Sequence, residues 1–463
     1  MTTHANKTAH ALLGLALALA FGASFGQGAP PHPPDHPLTL QECVRIAVEQ
    51  NPSAAAVLHA GRAALAKIGA SQAAYWPTVN FAGVLQRSYS EPQKGSQRQS
   101  FLFSSTTTTS DDASLTAQYT LWDSGVRKAT VEGAKASYAA SDATFQATVQ
   151  DLALSVQTAF YGLQGALWNK KVADETQKQT GFHLSMAQEQ HDVGLVPLSD
   201  VLQAATSDAN AKLAVIQAAN AVTADRAALA SLMGLSADTV LDIRLEEPGA
   251  TLPELPAWHA GRDRALSTLP EIRAAFESSE ALRFAVRETQ ASYLPSVTAN
   301  GTAGLFDAGT WPDRQEWSAG LTLRIPVFTG FARKYQVLQA KEAWESSKMT
   351  LESTKLAAEK TAYDAHTQLD TALQAVSASK ALVKSAQENS DVAEGQYQNG
   401  LGSMTNVVDA TLALSNAKYQ LIAAHLAVYT AQASWNRATG VDLLEGIAST
   451  PTTAPRPNGE AKP

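Results

Sequence analysis

One cysteine, Cys43, stands among 463 residues, so the chain holds no internal disulfide. It lies on an apolar helical pattern, far from the cleavage point where a lipid anchor needs its cysteine, and reads as a small buried residue. Blocks of positive charge are missing too. Net charge is −8, the isoelectric point is near 5.7, and neither half carries a Lys/Arg cluster, which argues against a nucleic-acid partner. No apolar run reaches the roughly 20 residues that a membrane-spanning helix needs. The longest, ALLGLALALAFGA at 11–23, follows Lys7 and precedes Ser24 and Gly26, the pattern of a secretory signal peptide over 1–26. A phosphate-cradling glycine loop is absent and no Ser/His/Asp context marks a nucleophile, so neither catalysis nor a cofactor is expected. The histidines are dispersed. His183 and His191 share a helix face eight residues apart, too few ligands for a metal, and His32 and His36 read as solvated.

Residues 27–38 form a Pro-rich lead too stiff and polar to pack, and 446–463 read as a disordered tail. Between them the chain repeats itself. Asn51-Pro52 returns as Leu269-Pro270 and Tyr75-Trp76-Pro77 as Tyr293-Leu294-Pro295, a displacement of 218. Farther on, Gly194-Leu195 returns as Gly400-Leu401, Ala211-Lys212 as Ala417-Lys418 and Gly234 as Gly440, a displacement of 206. The difference, 218 − 206 = 12, assigns twelve extra residues to one first-half loop, EPQKGSQRQSFLFSSTTTTSDD, which reads as a polar surface loop. Each repeat, 39–245 and 246–445, then reads as helix, strand, loop, strand, very long helix, turn, helix.

The long helices, 125–192 and 331–396, each extend about 100 Å at 1.5 Å per residue. In the second, Ala362, Leu369, Val376, Val383 and Ser390 recur every seven residues, with Ala365, Ala372, Ser379, Ala386 and Ala393 on the adjoining seam. A sustained seven-residue period predicts coiled-coil packing, and small seam residues let backbones approach closely. Val156, Leu163, Leu184, Ala159, Ala166, Ala173 and Ala187 keep the pattern in the first, where Lys170 and Gln177 interrupt it.

The strands are expected at 77–90, 113–121, 295–306 and 316–325, and each alternates apolar with polar residues. A half-buried sheet on a soluble core alternates in the same way. A membrane barrel is favoured because strands of this length cross a bilayer, and because Tyr75, Trp76, Trp122, Tyr293, Trp311, Trp317 and Phe328 gather at strand ends as interfacial girdles. On that reading Leu115, Ala117, Tyr119, Leu121, Val79, Phe81, Leu321 and Leu323 face lipid, while Ser114, Thr116, Gln118 and Thr120 face a water-filled lumen. Four strands cannot close a barrel, so the chain must oligomerise. Two copies supply eight strands and three supply twelve; an eight-stranded barrel is filled by side chains, so a conduit favours three.

The opening LTLQECVRIAVEQNP, the strand entries YWPTV and YLPSV, the exits LWDSG and VFTGF, and the pair HDVGLVPLSDVLQA and YQNGLGSMTNVVDA occur in this order. Together they resemble the TolC-like outer-membrane efflux family over residues 38 to 446. The resemblance implies a membrane α+β fold: a homotrimeric, twelve-stranded transmembrane β-barrel, four strands per protomer, continuous with a long α-helical coiled-coil periplasmic tunnel. It implies the outer membrane of a Gram-negative bacterium as location. Its partners would be a periplasmic adaptor (membrane fusion) protein and an inner-membrane transporter of the resistance-nodulation-division, ABC or major-facilitator type. It also implies a periplasmic gate. The family's tyrosine before the glycine turn resembles Tyr397, and the aspartate it hydrogen-bonds across the helices resembles Asp200, beside Ser199. The family's arginine after that turn is replaced by Gly402. Of the two aspartates ringing the constriction, the second matches Asp409 and the first has become Asn406. The turns Gly194, Leu195, Val196 and Gly400, Leu401, Gly402 would be the tips that meet the adaptor. Two function classes therefore stand: an outer-membrane exit duct for efflux or type I secretion, and an extended coiled-coil periplasmic scaffold without channel activity.

Overall fold

A computed structural model describes residues 36–90, 106–245, 252–306 and 314–443. The expected signal peptide, nearly all of the Pro-rich lead, most of the inserted loop, Trp311 and the tail lie outside the described residues.

The first half of the chain runs α1 (Leu40–Gln50), α2 (Pro52–Gln72), β1 (Thr78–Ser90), β2 (Thr106–Trp122), α3 (Val126–Asp192) and α4 (Leu198–Leu232). The second runs α5 (Trp258–Thr268), α6 (Pro270–Ala291), β3 (Ser296–Phe306), β4 (Arg314–Arg324), α7 (Ala332–Gln398) and α8 (Met404–Ala438). Local chemistry sets the breaks. Thr39 and Glu42 form a reciprocal capping box on α1, and Asn51 caps α2 ahead of Pro52 at its first position. Cys43 is fully buried on α1 among Val156, Leu163 and Leu229, and burial pushes its thiol up to about 12, leaving it protonated and inert.

Helices α3 and α7 are both 67 residues long, and α4 and α8 are both 35. Equal lengths follow from equal stop signals. Gly194, Gly234, Gly400 and Gly440 all have φ between 67° and 78°, a left-handed conformation that glycine adopts without steric cost. After α3, Leu195 N–H reaches Gln190 O and Gly194 N–H reaches His191 O; after α7, Leu401 and Gly400 make the same pair of bonds to Gln396 and Tyr397. This is the Schellman closure, which satisfies carbonyls the helix leaves open. Along α7 the buried positions Ala362, Leu369 and Val376 repeat every seven residues, as do Ala365 and Ala372 beside them. On α3 the period continues through Ala166, Ala173, Thr180 and Ala187.

The strands form one antiparallel sheet in the order β1-β2-β3-β4, so the β2–β3 ladder joins the two repeats. Strand β2 starts at Thr106, seven residues ahead of the expected 113, and pairs along β1 as far as Ser90 opposite Thr106. The polar Thr run reads as loop, but β-branched threonine suits a pleated ladder once a partner strand is present. β4 likewise begins earlier, at Arg314, and ends before Ile325.

At the corner from β2 into α3, Ser124 and Gly125 are both left-handed; from β4 into α7, so are Gly330 and Phe331. Phe331 is bulky, so its φ of 63° is strained and must be held by its surroundings, among them Phe328 edge-on at 5.6 Å. Ser124 Oγ donates to Pro295 O at 2.8 Å, tying the first corner to the entry of β3. Each corner also carries a cation–π contact, Arg127 over Tyr75 at 4.7 Å and Arg333 over Tyr293 at 5.8 Å. Among the described residues no helix is long and apolar enough to cross a membrane.

Candidate functional site

Cross-strand register sorts all four strands onto two common faces. Val79 pairs with Ala117, Ala117 with Gly301 and Gly301 with Ala319; Phe81 pairs with Leu115, Leu115 with Ala303 and Ala303 with Trp317. Tyr119, Ala299 and Leu321 form a third apolar row. The alternate rows are polar: Asn80, Thr116, Thr302 and Ser318 make one, and Asn300 in another donates from Nδ2 to Thr322 Oγ1 at 2.9 Å. Leu323, opposite Val297, also belongs to the apolar face. Leu121 departs from the expected alternation. The β2–β3 register shifts there, and Trp122 rather than Leu121 stands opposite Val297, because a bulge inserts one extra residue into β2.

This apolar face is bare. Phe81 is 74% exposed and Trp317 82%, although burying such a side chain is worth about 1.5–3 kcal/mol. Its end nearest the helices is ringed by Trp76, Trp122, Tyr293 and Phe328, all exposed, while Trp317 sits toward the opposite end. Among the described residues, the outer edges of β1 and β4 have no partner strand.

The other expected site lies at the far ends of the long helices. Tyr397 is buried with Ala187, Ala204, Met404 and Val407, one cluster joining both helical hairpins. Burial first, and the nearby Asp200 carboxylate second, hold its phenol above the ordinary pKa. The expected hydrogen bond between them is not made. Tyr397 Oη has no partner, and Asp200 instead accepts from Ser199 Oγ at 3.4 Å. The tyrosine is held by packing in this chain. Asn406 and Asp409, three residues apart, lie on the exposed face of α8, and neighbouring Thr405 Oγ1 donates to Gln203 Oε1 of α4 at 3.0 Å. At the tips Leu195 and Leu401 are 75% and 81% exposed, an apolar pair with Val196 and Gly402 half-buried beside it.

Two features carry no local sequence signal. His183 is buried beside the Tyr397 cluster with neither ring nitrogen hydrogen-bonded; burial lowers its pKa, and Glu394 of α7 opposes that shift. Arg437, also buried, joins α8 to Asp151 of α3 at 2.8 Å and to Glu271 of α6. His183 and His191 do not converge: His191 Nδ1 turns to Val196 O at 3.0 Å. Among the described residues no three metal-ligating side chains come together.

Comparison with known proteins extends this architecture. The model of the outer membrane efflux protein family matches residues 44–235 and 262–441, one block in each repeat. Protein CyaE of Bordetella pertussis is 27% identical over 366 residues, 74% of this chain and 73% of that protein. Outer membrane protein TolC of Escherichia coli K12 is 25% identical over 299 residues, 60% of this chain and 59% of its own length. A crystal structure of a membrane protein from Pseudomonas aeruginosa superposes with a TM-score of 0.76 at 21% identity, over 87% of this chain and 93% of that one. With a family match in both halves of the chain and a shared fold along nearly the whole described chain, this protein belongs to the outer membrane efflux proteins.

Proposed function

We propose that three copies of this chain assemble into the outer-membrane exit duct of a tripartite efflux pump or a type I secretion system. The observation that carries this reading is the bare apolar face of a sheet whose two outer edges are unpaired among the described residues. In hydrocarbon each unpaired backbone group costs several kcal/mol, so β4 of one copy must pair with β1 of the next until the barrel closes. Three copies give twelve strands and an open lumen lined by Asn80, Thr116, Thr302 and Ser318.

The internal repeat supports the same closure. Within the chain α6 packs against both α3 and α7, whereas its equivalent α2 packs against α3. The missing neighbour of α2 is then α7 of another copy. Below the barrel the hairpins α3–α4 and α7–α8 would alternate around the axis, with the Tyr397 cluster, Asp200 and Asp409 at the narrow end and the apolar tips turned to a periplasmic adaptor. Asp409 from three copies would favour cations there.

Planar-bilayer recording tests the duct. Purified protein should conduct with cation preference, and Asp409→Ala should reduce that preference. Protein that stays in aqueous buffer without detergent and adds no conductance would overturn the proposal in favour of a periplasmic scaffold.

A further inference from the structure

We infer that ring closure builds a second contact at the narrow end, chemically unlike the first, in which His191 of one copy meets Asn406 of the partner subunit. This rests on the ring reading above and deepens it.

The displacement of 206 carries Tyr397 onto His191, Asp200 onto Asn406, Met404 onto Leu198, Val407 onto Val201, and Ala187 and Ala204 onto Ala393 and Ala410. In the single chain the first members form one buried cluster, with the Asp200 carboxylate close enough to act on the Tyr397 phenol. Their counterparts are divided between the two hairpins, with Ala393 and Ala410 buried within the chain, Val201 partly buried against the Tyr397 cluster and Leu198 exposed. Ala393 and Ala410 lie on α7 and α8, while His191, Leu198 and Val201 lie on α3 and α4. Met404 is 0% exposed and its counterpart Leu198 is 55% exposed. Repeating the in-chain arrangement once around the ring would bring the α3–α4 hairpin of one copy against the α7–α8 hairpin of the next. That covers Leu198, and it sets His191 opposite Asn406 of the partner subunit as Tyr397 is set near Asp200.

The two contacts differ in chemistry. His191 Nδ1 lies 3.0 Å from the Val196 carbonyl, which only accepts, so Nδ1 carries the proton and Nε2 offers a lone pair. Asn406 is exposed, and its carboxamide N–H can donate to that nitrogen. The ring would therefore alternate a packed phenol beside a carboxylate, inside each chain, with a neutral hydrogen bond between chains.

Cysteine cross-linking tests this in a Cys43→Ala background. His191→Cys combined with Asn406→Cys, oxidised in the membrane, should give covalent two- and three-chain species on a non-reducing gel. Reductant should dissolve them and raise conductance. Tyr397→Cys with Asp200→Cys should stay single-chain. If native mass spectrometry finds an oligomer that His191→Cys/Asn406→Cys fails to cross-link, the contact is wrong and the ring stands. A single chain in detergent would overturn both. Without cysteines, His191→Ala and Asn406→Ala should each raise conductance, with the double variant no higher than the larger single effect; additive effects would overturn the pairing.

Discussion

The equivalent helices α2 and α6 have the same place in their repeats and different fates in the chain. α6 lies between α3 and α7 and buries Ile272, Ser279 and Val286; α2 rests on α3 and buries Ala54 and Gly61. The contrast recurs at the other end of the molecule, where Met404 is enclosed and Leu198 is exposed, and in the sheet, where among the described residues β2 and β3 have partners on both sides and β1 and β4 on one. One lesson covers all three cases. Surfaces satisfied where the two halves meet inside the chain are left open at its outer faces, and in the proposed ring another copy would cover them.

The largest expected effect comes from placing a charge on the bare sheet face. Phe81→Arg should cost up to the roughly 2–4 kcal/mol per copy that a lipid-facing arginine costs at the bilayer midplane, and abolish the membrane-inserted oligomer on native gels. Asn80→Arg, one residue away on the polar face, should leave the oligomer intact and shift ion selectivity. Equal damage from both would break the two-face assignment. Next come the enclosed and bare counterparts. Met404→Ala should lower chain stability by about 2–5 kcal/mol in denaturant unfolding, whereas Leu198→Ala should weaken the oligomer and spare the isolated chain. Matching losses in the isolated chain would remove the contrast.

Smaller effects sharpen the gate. Because Tyr397 Oη makes no hydrogen bond, Tyr397→Phe should leave conductance within about twofold, since deleting an unpaired buried hydroxyl costs little. Tyr397→Ala, which removes the packed ring, should raise it. The smallest effect is a pH slope. Burial depresses the His183 pKa below its usual value of 6.5, against the opposing pull of Glu394 from α7. Its contribution to stability is present above about 6.5 and is lost as pH falls from there through the folded value, because the unfolded chain takes up the proton first. Melting temperature should therefore decline on acidification below pH 6.5, and His183→Gln should flatten that decline.

Much of the architecture was legible in the sequence because it is periodic or doubled. The seven-residue recurrence of Ala362, Leu369 and Val376 follows from helix packing, and the paired displacements of 218 and 206 match the doubled order of elements. What stayed hidden depends on partners remote in sequence. Thr106 to Asp112 reads as loop until β1 is laid beside it. Asp151, Glu271 and Arg437 form an ion cluster with no local pattern, and a lone bulge at Leu121 shifts Trp122 onto the apolar row. The tyrosine–aspartate hydrogen bond implied by family resemblance was the opposite case: both residues approach each other, and the bond itself is absent.

In the proposed duct hydrocarbon wets one side of the sheet and water the other. Spin labels placed singly at 79, 81, 115, 117, 119, 321 and 323, and at 80, 116, 118, 320 and 322, measure it through collisions with oxygen and with a water-soluble nickel chelate. The first set should favour oxygen and the second nickel, alternating residue by residue along β1, β2 and β4. Labels of the first set that meet nickel freely, or that meet neither reagent, would contradict the proposed duct.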